Sequence, residues 1–199
     1  LIQLEKIKEK YDCLIHLAAM TNAESSLLMK KKFINNNYNA TKNVVSYCDK
    51  KNIPLIYASS TSVYGTQKKV IDENCTNDNL KPQSPYAESK LKEEKLILSK
   101  INKSSLKATI FRFGTISGLS KGMRFHTAIN KFCYQSSMNL PITVWKTALN
   151  QKRPYLDLID LVNVIGFFLN NKIFEGKVYN VVTKNLTVND IIKIIKKYS

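Results

Sequence analysis

Tyr86 and Lys90 stand four residues apart in Ser84-Pro85-Tyr86-Ala87-Glu88-Ser89-Lys90, a spacing that places both on one face of any helix beginning there. The pairing has a chemical use. A phenol with an ordinary pKa of about 10 is too weak an acid to serve as a base at neutral pH, but an ammonium held beside it favours the phenolate. Ser60, at the end of an apolar run, could hydrogen-bond the same substrate oxygen, and the three together would make a site that deprotonates a hydroxyl. Taken as five residues alone, Y-x-x-x-K is also a common helical accident with a half-exposed Tyr and a solvated Lys. That bland reading is then the commoner one.

The flanking chain supplies the elements such a site needs. Leu55-Ile56-Tyr57-Ala58 stops abruptly at Ser59-Ser60-Thr61-Ser62. A buried parallel strand reads this way when it delivers small hydroxyl residues to the carboxyl edge of an open sheet, where such folds bind ligands. After a polar loop of about twenty residues, Ser84 is a credible N-cap and Pro85 fits the first helical position.

Ser-Ser-x-x-Val-Tyr-Gly at the strand end, followed by Pro-x-Ser-Pro-Tyr-x-x-Ser-Lys, resembles the extended short-chain dehydrogenase/reductase family, and within it the nucleoside-diphosphate-sugar epimerases and dehydratases. The resemblance implies Ser60, Tyr86 and Lys90 as the catalytic triad, with Tyr86 the acid/base and Lys90 holding both the cofactor ribose and the phenol. His16-Leu17-Ala18-Ala19 resembles the turn under the dinucleotide, with the Ala18 and Ala19 backbone lining the cofactor; His16 itself reads as a packed histidine. Asn35 to Asn43 resembles the family's N-x-x-G-T-x-N helix, with Ala40 where Gly is usual and Asn37 as the functional member. Ser59 and Gly114 complete the implied cofactor contacts.

Arg112-Phe113-Gly114-Thr115-Ile116-Ser117-Gly118 is similar to the family's link to the sugar site, although many sugar epimerases carry Asn where Thr115 stands. Arg153 fills the phosphate-contacting place of an R-x-Y-[IL]-x-[VLI]-x-D stretch, and Ser62, Arg124 and Asn130 are further substrate candidates. Asp160 is expected to cap the helix over 161–169, and Arg112 is as readily structural. The chain is scarce in glycine, with six in all, which gives weight to Gly65, Gly114 and Gly118 at these joints.

Composition bounds the alternatives. The 199 residues are 44% apolar and carry a formal charge of +16, enough for one core with a small appendage. The charge invites a nucleic-acid reading. Against it, the basic residues are almost all Lys, spread along the chain beside abundant Asn and Ile, and no aromatic-interleaved basic motif or zinc finger accompanies them. The three Arg, at 112, 124 and 153, then become candidates for positions that need a planar fork. Cys13, Cys48, Cys75 and Cys133 form no C-x-x-C pair, and His16 and His126 build no zinc site without distant help; reduced thiols in a cytoplasmic protein are expected, with no metal. Within these 199 residues no signal-peptide pattern or membrane-length apolar span is read.

Read in order, the pattern predicts a helix tail over 1–10, a strand over 12–17, helices over 23–31 and 35–51, the strand at 55–58, a helix from 85 to about 102, and a strand over 106–113. A helix start over 123–132, strands at 142–145 and 153–160, a helix over 161–169, a strand over 176–182 and a closing helix begun by a capping-box-like Thr187-Val188-Asn189-Asp190 follow. The expected architecture is α/β: a doubly wound, Rossmann-like parallel sheet lacking its N-terminal strands, with a small α/β substrate lobe. Residues 1–118 would be the remaining dinucleotide-binding domain and 119–199 mainly the lobe, with strand 177–182 returning to the main sheet. The chain opens on Leu1 within an amphipathic run and closes within another, so it reads as a piece of a longer protein whose Gly-rich turn lies upstream.

The implied function is an NAD- or NADP-dependent epimerase, NAD favoured. Tyr86 takes the proton of a sugar hydroxyl while the carbon is oxidised, and the keto-sugar is re-reduced on its other face. The partner is a nucleoside-diphosphate sugar, with no nucleic acid and no membrane, and the family suggests a homodimer. A 4,6-dehydratase would carry an Asp-Glu pair where Thr61 and Ser62 stand, which argues against that branch. A keto-sugar reductase or dehydrogenase stays open, as does a non-catalytic nucleotide-sensing or scaffold protein on the same fold, which would be expected to lose Tyr86 or Lys90.

Overall fold

The computed structural model describes residues 2–6, 9–21, 29–67, 70–125, 127–144 and 146–198. In chain order the elements are α1 (Ile2–Glu5), β1 (Leu14–His16), α2 (Lys30–Lys51), β2 (Leu55–Ser60), α3 (Pro85–Ile101), β3 (Ala108–Phe113), β4 (Thr115–Ser117), α4 (Ala128–Ser137), β5 (Arg153–Asp157), α5 (Leu158–Asn170), β6 (Val178–Val181), β7 (Lys184–Leu186) and α6 (Val188–Tyr198). They form two compact units, Leu1–Arg112 with Phe168–Asn180 and Phe113–Phe167 with Val181–Ser199.

The sheet of the first unit is parallel and runs β1-β2-β3-β6, with Leu14 opposite Leu55 and His16 opposite Tyr57. Its strands alternate as a pleat must. Leu55 and Tyr57 of β2, with Ala108 and Ile110 of β3, face Val45 and Cys48 of α2 and Ile97 of α3. The intervening residues point to the other face, where Phe111 meets Phe168 edge-on at 4.8 Å. Both faces of the central strands β2 and β3 are thus buried, and this is why 55–57 reads as a continuous apolar run. The chain is α/β with a doubly wound parallel sheet, as the sequence pattern implies.

Helix α3 begins as its sequence dictates. The Ser84 side chain accepts from the Ala87 N–H at 3.2 Å, with Pro85 at the first position. Its inner face then carries charge: Lys90, Glu93 and Glu94 are 4%, 1% and 1% exposed. Arg112 of β3 closes a two-pronged bridge onto Glu94, Nε to Oε1 at 3.0 Å and Nη2 to Oε2 at 2.7 Å. Its Nη1 donates to the Tyr64 hydroxyl at 2.8 Å. Arg112 is therefore structural.

Helix α2 starts at Lys30, earlier than the periodicity over 35–51 suggests, and ends at Lys51, capped by Asn52 in the left-handed conformation with φ 52°. Its buried stripe is Phe33, Ile34, Asn37, Thr41, Val45 and Cys48, so two polar residues occupy core positions. The helix expected over 23–31 falls largely outside the described residues, as does His126.

In the second unit β4 pairs parallel with β5, and β5 antiparallel with β7. Three expectations are corrected here. Residues 142–144 form no strand; Ile142 and Val144 pack on Phe132 and Tyr155 from irregular chain, so their alternation reports burial without pairing, and Trp145 lies outside the described residues. The helix read from 123 begins at Ala128. Helix α5 is capped by Asp157, whose Oδ1 accepts from the Ile159 N–H at 2.8 Å, while Asp160 accepts from the Thr183 hydroxyl. The start of α6 is as anticipated: Asp190 accepts from the Thr187 N–H at 2.9 Å, and its own N–H donates to Thr187 Oγ1 at 3.1 Å.

Among the described residues no helix is long and apolar enough to cross a membrane. Replacing Glu94 by Gln leaves the Arg112 charge buried without its counterion, so the variant should lose about 3–5 kcal/mol of stability in urea unfolding. A loss below about 1 kcal/mol would mean that this bridge does not join helix and sheet.

Candidate active site

Lys90 is reached from three sides of the first unit. Its ammonium donates to the Ala58 carbonyl at 2.7 Å and to the Tyr57 hydroxyl at 3.2 Å, lies 4.7 Å from the Tyr57 ring centroid, and lies 6.0 Å from that of Tyr86. Burial depresses its pKa, while Glu93 and Glu94 oppose that shift. Tyr86, half-buried one turn earlier on α3, packs edge-on against Phe33 of α2 at 6.5 Å. The structure thus brings Tyr86 and Lys90 together on one helix face, the lysine held by the β2 backbone.

Ser60 ends β2 and accepts from the Ser62 N–H at 3.2 Å, capping the 3-10 turn Thr61–Tyr64. Its hydroxyl keeps a proton to donate. The Ser62 hydroxyl oxygen is buried with no hydrogen-bond partner among the described residues, an arrangement that costs free energy until something satisfies it. Gly65 closes this turn with φ +64°, and a Cβ there would stand 2.0 Å from the Lys81 carbonyl oxygen, so only glycine fits. Ser59 is turned inward: its hydroxyl donates to Glu94, leaving no side-chain donor for a cofactor.

Asn37 exchanges two hydrogen bonds with the backbone of Met20, Met20 N to Oδ1 at 2.8 Å and Nδ2 to Met20 O at 3.0 Å. It fixes the segment after β1 that carries Ala18 and Ala19, which are exposed and half-buried. Its part is to shape the turn through the backbone.

The second unit holds the remaining candidates. Gly114 allows close strand approach, since a Cβ there would meet the Pro154 carbonyl oxygen at 3.0 Å. Asn130 is buried and both ends of its amide are used, Nδ2 on the Arg124 carbonyl at 3.1 Å and Oδ1 on the Gly118 N–H at 3.4 Å. It organises the loop that carries Arg124, which is exposed. Thr115 is half-buried on β4, and Arg153, exposed at the start of β5, donates to Gln151 at 2.9 Å.

Sequence reasoning missed the network beneath Lys90. Glu93 accepts from the Tyr57 hydroxyl at 2.6 Å, from the Thr41 hydroxyl at 2.7 Å and from Ser89. His16 Nε2 lies 3.0 Å from Thr41 Oγ1. Because Thr41 spends its single proton on Glu93, it must accept from His16, which assigns the Nε2–H tautomer. The signal was legible: Glu93 and Glu94 stand three and four residues after Lys90 on the face that continues to Ile97, where a solvated helix would not bury charge.

With this geometry in place, residues 2–181 match the model of the NAD dependent epimerase/dehydratase family, and the chain belongs to that family. It is 33% identical over 190 residues to the dTDP-D-glucose 4,6-dehydratase of Dictyostelium discoideum, covering 88% of this chain and 42% of the relative. To the ADP-L-glycero-D-manno-heptose-6-epimerase of Brachyspira hyodysenteriae it is 31% identical over 160 residues, covering 78% and 49%. The chain thus spans about half the length of these relatives. Among solved structures, a UDP-glucuronic acid 4-epimerase from Bacillus cereus, in complex with a fluorinated UDP-sugar and NAD, superposes with a TM-score of 0.86 at 24% identity, over 98% of this chain and 61% of that one. A UDP-N-acetylglucosamine 4-epimerase from Methanobrevibacter ruminantium gives 0.83 at 24%, over 98% and 62%. At such identities these two likenesses speak for the fold.

His16 also sets a pH dependence. Burial, reinforced by the Lys90 charge and opposed by Glu93, lowers its pKa to about 4 from an ordinary 6.5. A depressed histidine contributes stability that is fully present above pH 6.5 and is lost as pH falls toward 4, because the unfolded chain takes the proton first. Unfolding free energy should therefore drop by about 3 kcal/mol across that window, at about 1.4 kcal/mol per pH unit, and His16→Gln should flatten this limb. A variant that keeps the same slope would show that other groups carry it.

Proposed function

We propose that the complete protein is an NAD(P)-dependent epimerase of nucleoside-diphosphate sugars, with NAD favoured, in which Tyr86 is the acid/base. The observation that carries this reading is the placement of Tyr86 on one helix face with a lysine that is 4% exposed and anchored to the β2 backbone, in a chain of this family. A lysine so held cannot swing to water. Its positive charge favours the phenolate of Tyr86 over the phenol, so Tyr86 removes the proton of a sugar hydroxyl at neutral pH. The Ser60 hydroxyl donates to the same oxygen and steadies it as the carbon becomes a ketone. NAD, when bound, supplies the hydride acceptor for that oxidation and the donor for its reversal.

The residues present fit the nicotinamide end of such a cofactor. Asn37 holds the backbone after β1, and Lys90 has used two of its three N–H groups, on Tyr57 and Ala58, leaving a donor for a ribose. The orphaned Ser62 hydroxyl suits a sugar hydroxyl as its missing partner. Arg153 is assigned to the diphosphate, where a planar fork binds two oxygens at once.

The relatives include both epimerases and a dehydratase, and Thr61 and Ser62 favour the epimerase branch, since neither can act as the acid or base of an elimination at neutral pH. The product of the complete enzyme is accordingly the epimer of the supplied sugar. A 4-keto-6-deoxy sugar, or net consumption of a reduced cofactor, would replace the reading with a dehydratase or a reductase.

Tyr86→Phe should cut kcat by about a hundredfold or more, the usual share of a general base, with dinucleotide affinity nearly intact; wild-type kcat in that variant would remove Tyr86 from the mechanism. Arg153→Lys should raise KM for the nucleotide sugar with little change in kcat, because a point charge loses the paired contact. Unchanged affinity for UDP, GDP, CDP and dTDP alike would take Arg153 out of the phosphate site.

A further inference from the structure

An acid/base role for Tyr86 requires Lys90 to be charged and fixed, yet burial works against the charge. The counterweight lies beneath it. Lys90 Nζ donates to the Tyr57 hydroxyl at 3.2 Å, and that hydroxyl passes its own proton to Glu93 Oε2 at 2.6 Å, so the phenol bridges ammonium and carboxylate. Glu93 is itself pinned by hydroxyls from Thr41 on α2 and Ser89 on α3. Three hydroxyl donors thus hold this one buried carboxyl in place. The neighbouring carboxylate, Glu94, differs in kind: both its oxygens are bound by Arg112, so much of its field is cancelled locally.

We propose that Glu93 is a positioning residue for the reaction, which through the Tyr57 hydroxyl keeps Lys90 charged and in place beside Tyr86. The inference rests on the acid/base role of Tyr86 and deepens it. The groups that face this centre are Glu93, Glu94 and Tyr86 from α3, Tyr57 from β2, Thr41 from α2, His16 from β1 and Arg112 from β3. His16 stays neutral above pH 6.5, and Arg112 is committed to Glu94, so Glu93 is the foremost of the two carboxylates that oppose the effect of burial on Lys90. Removing it lets Lys90 shed its proton more readily, and the loss of that positive charge makes the Tyr86 phenolate harder to form.

The test reads Tyr86 directly in the complete polypeptide, by the ultraviolet band of tyrosinate. Titrating each protein against its own Tyr86→Phe counterpart isolates this one phenol. Glu93→Gln should move the Tyr86 midpoint upward by about one pH unit or more. Tyr57→Phe, which deletes only the bridging hydroxyl, should move it the same way by less, and Glu93→Asp, which keeps the charge, should leave it nearer the wild type. In turnover, the acidic limb of the kcat profile should move with the midpoint while KM for the nucleotide sugar holds.

Circular dichroism and Tm are measured first; if Glu93→Gln does not fold, Tyr57→Phe carries the test. A folded Glu93→Gln or Tyr57→Phe protein whose Tyr86 midpoint stays within about 0.3 of wild type overturns the proposal and leaves the acid/base role standing. A wild-type Tyr86 that titrates as an ordinary phenol overturns that role, and this inference with it.

Discussion

Two cations and two carboxylates, Lys90, Arg112, Glu93 and Glu94, are buried together where α3 crosses β2 and β3. Moving a charge out of water costs several kcal/mol even after relaxation, and the mutual attraction of a pair offsets this only when geometry is good and the remaining lone pairs are satisfied. The quartet meets that condition by dividing its work. Glu94 and Arg112 form a planar two-point bridge, with Tyr64 and Ser59 taking the outlying positions. Glu93 and Lys90 do not touch through such a bridge; they meet through Tyr57, and hydroxyls from Thr41 and Ser89 fill the rest of the carboxylate. One pair ties helix to sheet, and the other leaves its lysine with a donor to spare.

That division leaves each of the four buried charged groups with a partner. Replacing a buried ion pair by well-packed hydrophobes is often neutral or stabilising, so stability alone gives no reason to retain Lys90 and Glu93. What the arrangement keeps is a lysine with one uncommitted N–H beside a half-buried phenol. The same logic extends to Asn37 and Thr41, two polar residues on the buried stripe of α2. Each sits at a core position because it holds something specific, the backbone of Met20 in one case and Glu93 in the other.

The strand-to-loop-to-helix unit from Leu55 to Lys90 was legible in the sequence because each of its signals has a local cause: a doubly buried strand, a serine cap and a proline at the first helical position. The family resemblance, carried by the motifs at 59–65 and 82–90, extended that to the chain as a whole. Where the reading failed, the deciding partner was distant in sequence or the signal was ambiguous. The resemblance implied Ser59 as a cofactor contact, yet the pleat puts its side chain on the α3 side with Leu55 and Tyr57, within reach of Glu94. The alternation at 142–144 was produced by packing on Phe132 and Tyr155 without a strand partner. Asp160 and Asp157 both precede or enter α5, and only the backbone shows that Asp157 occupies the cap.

The buried network also bears on how this site tolerates a chain so rich in lysine. With a formal charge of +16, the protein surface carries a diffuse positive field that water and salt screen over about 10 Å. Lys90 lies out of reach of that screening, where burial lowers its pKa and the charges of Glu93 and Glu94 oppose the shift. Surface lysines can therefore accumulate without retuning the phenol. An approaching anion would feel the outer field, while the Lys90 ammonium answers to the inner one. The separation holds because Glu93 and Glu94 match Lys90 and Arg112 in number, so the interior is balanced by itself.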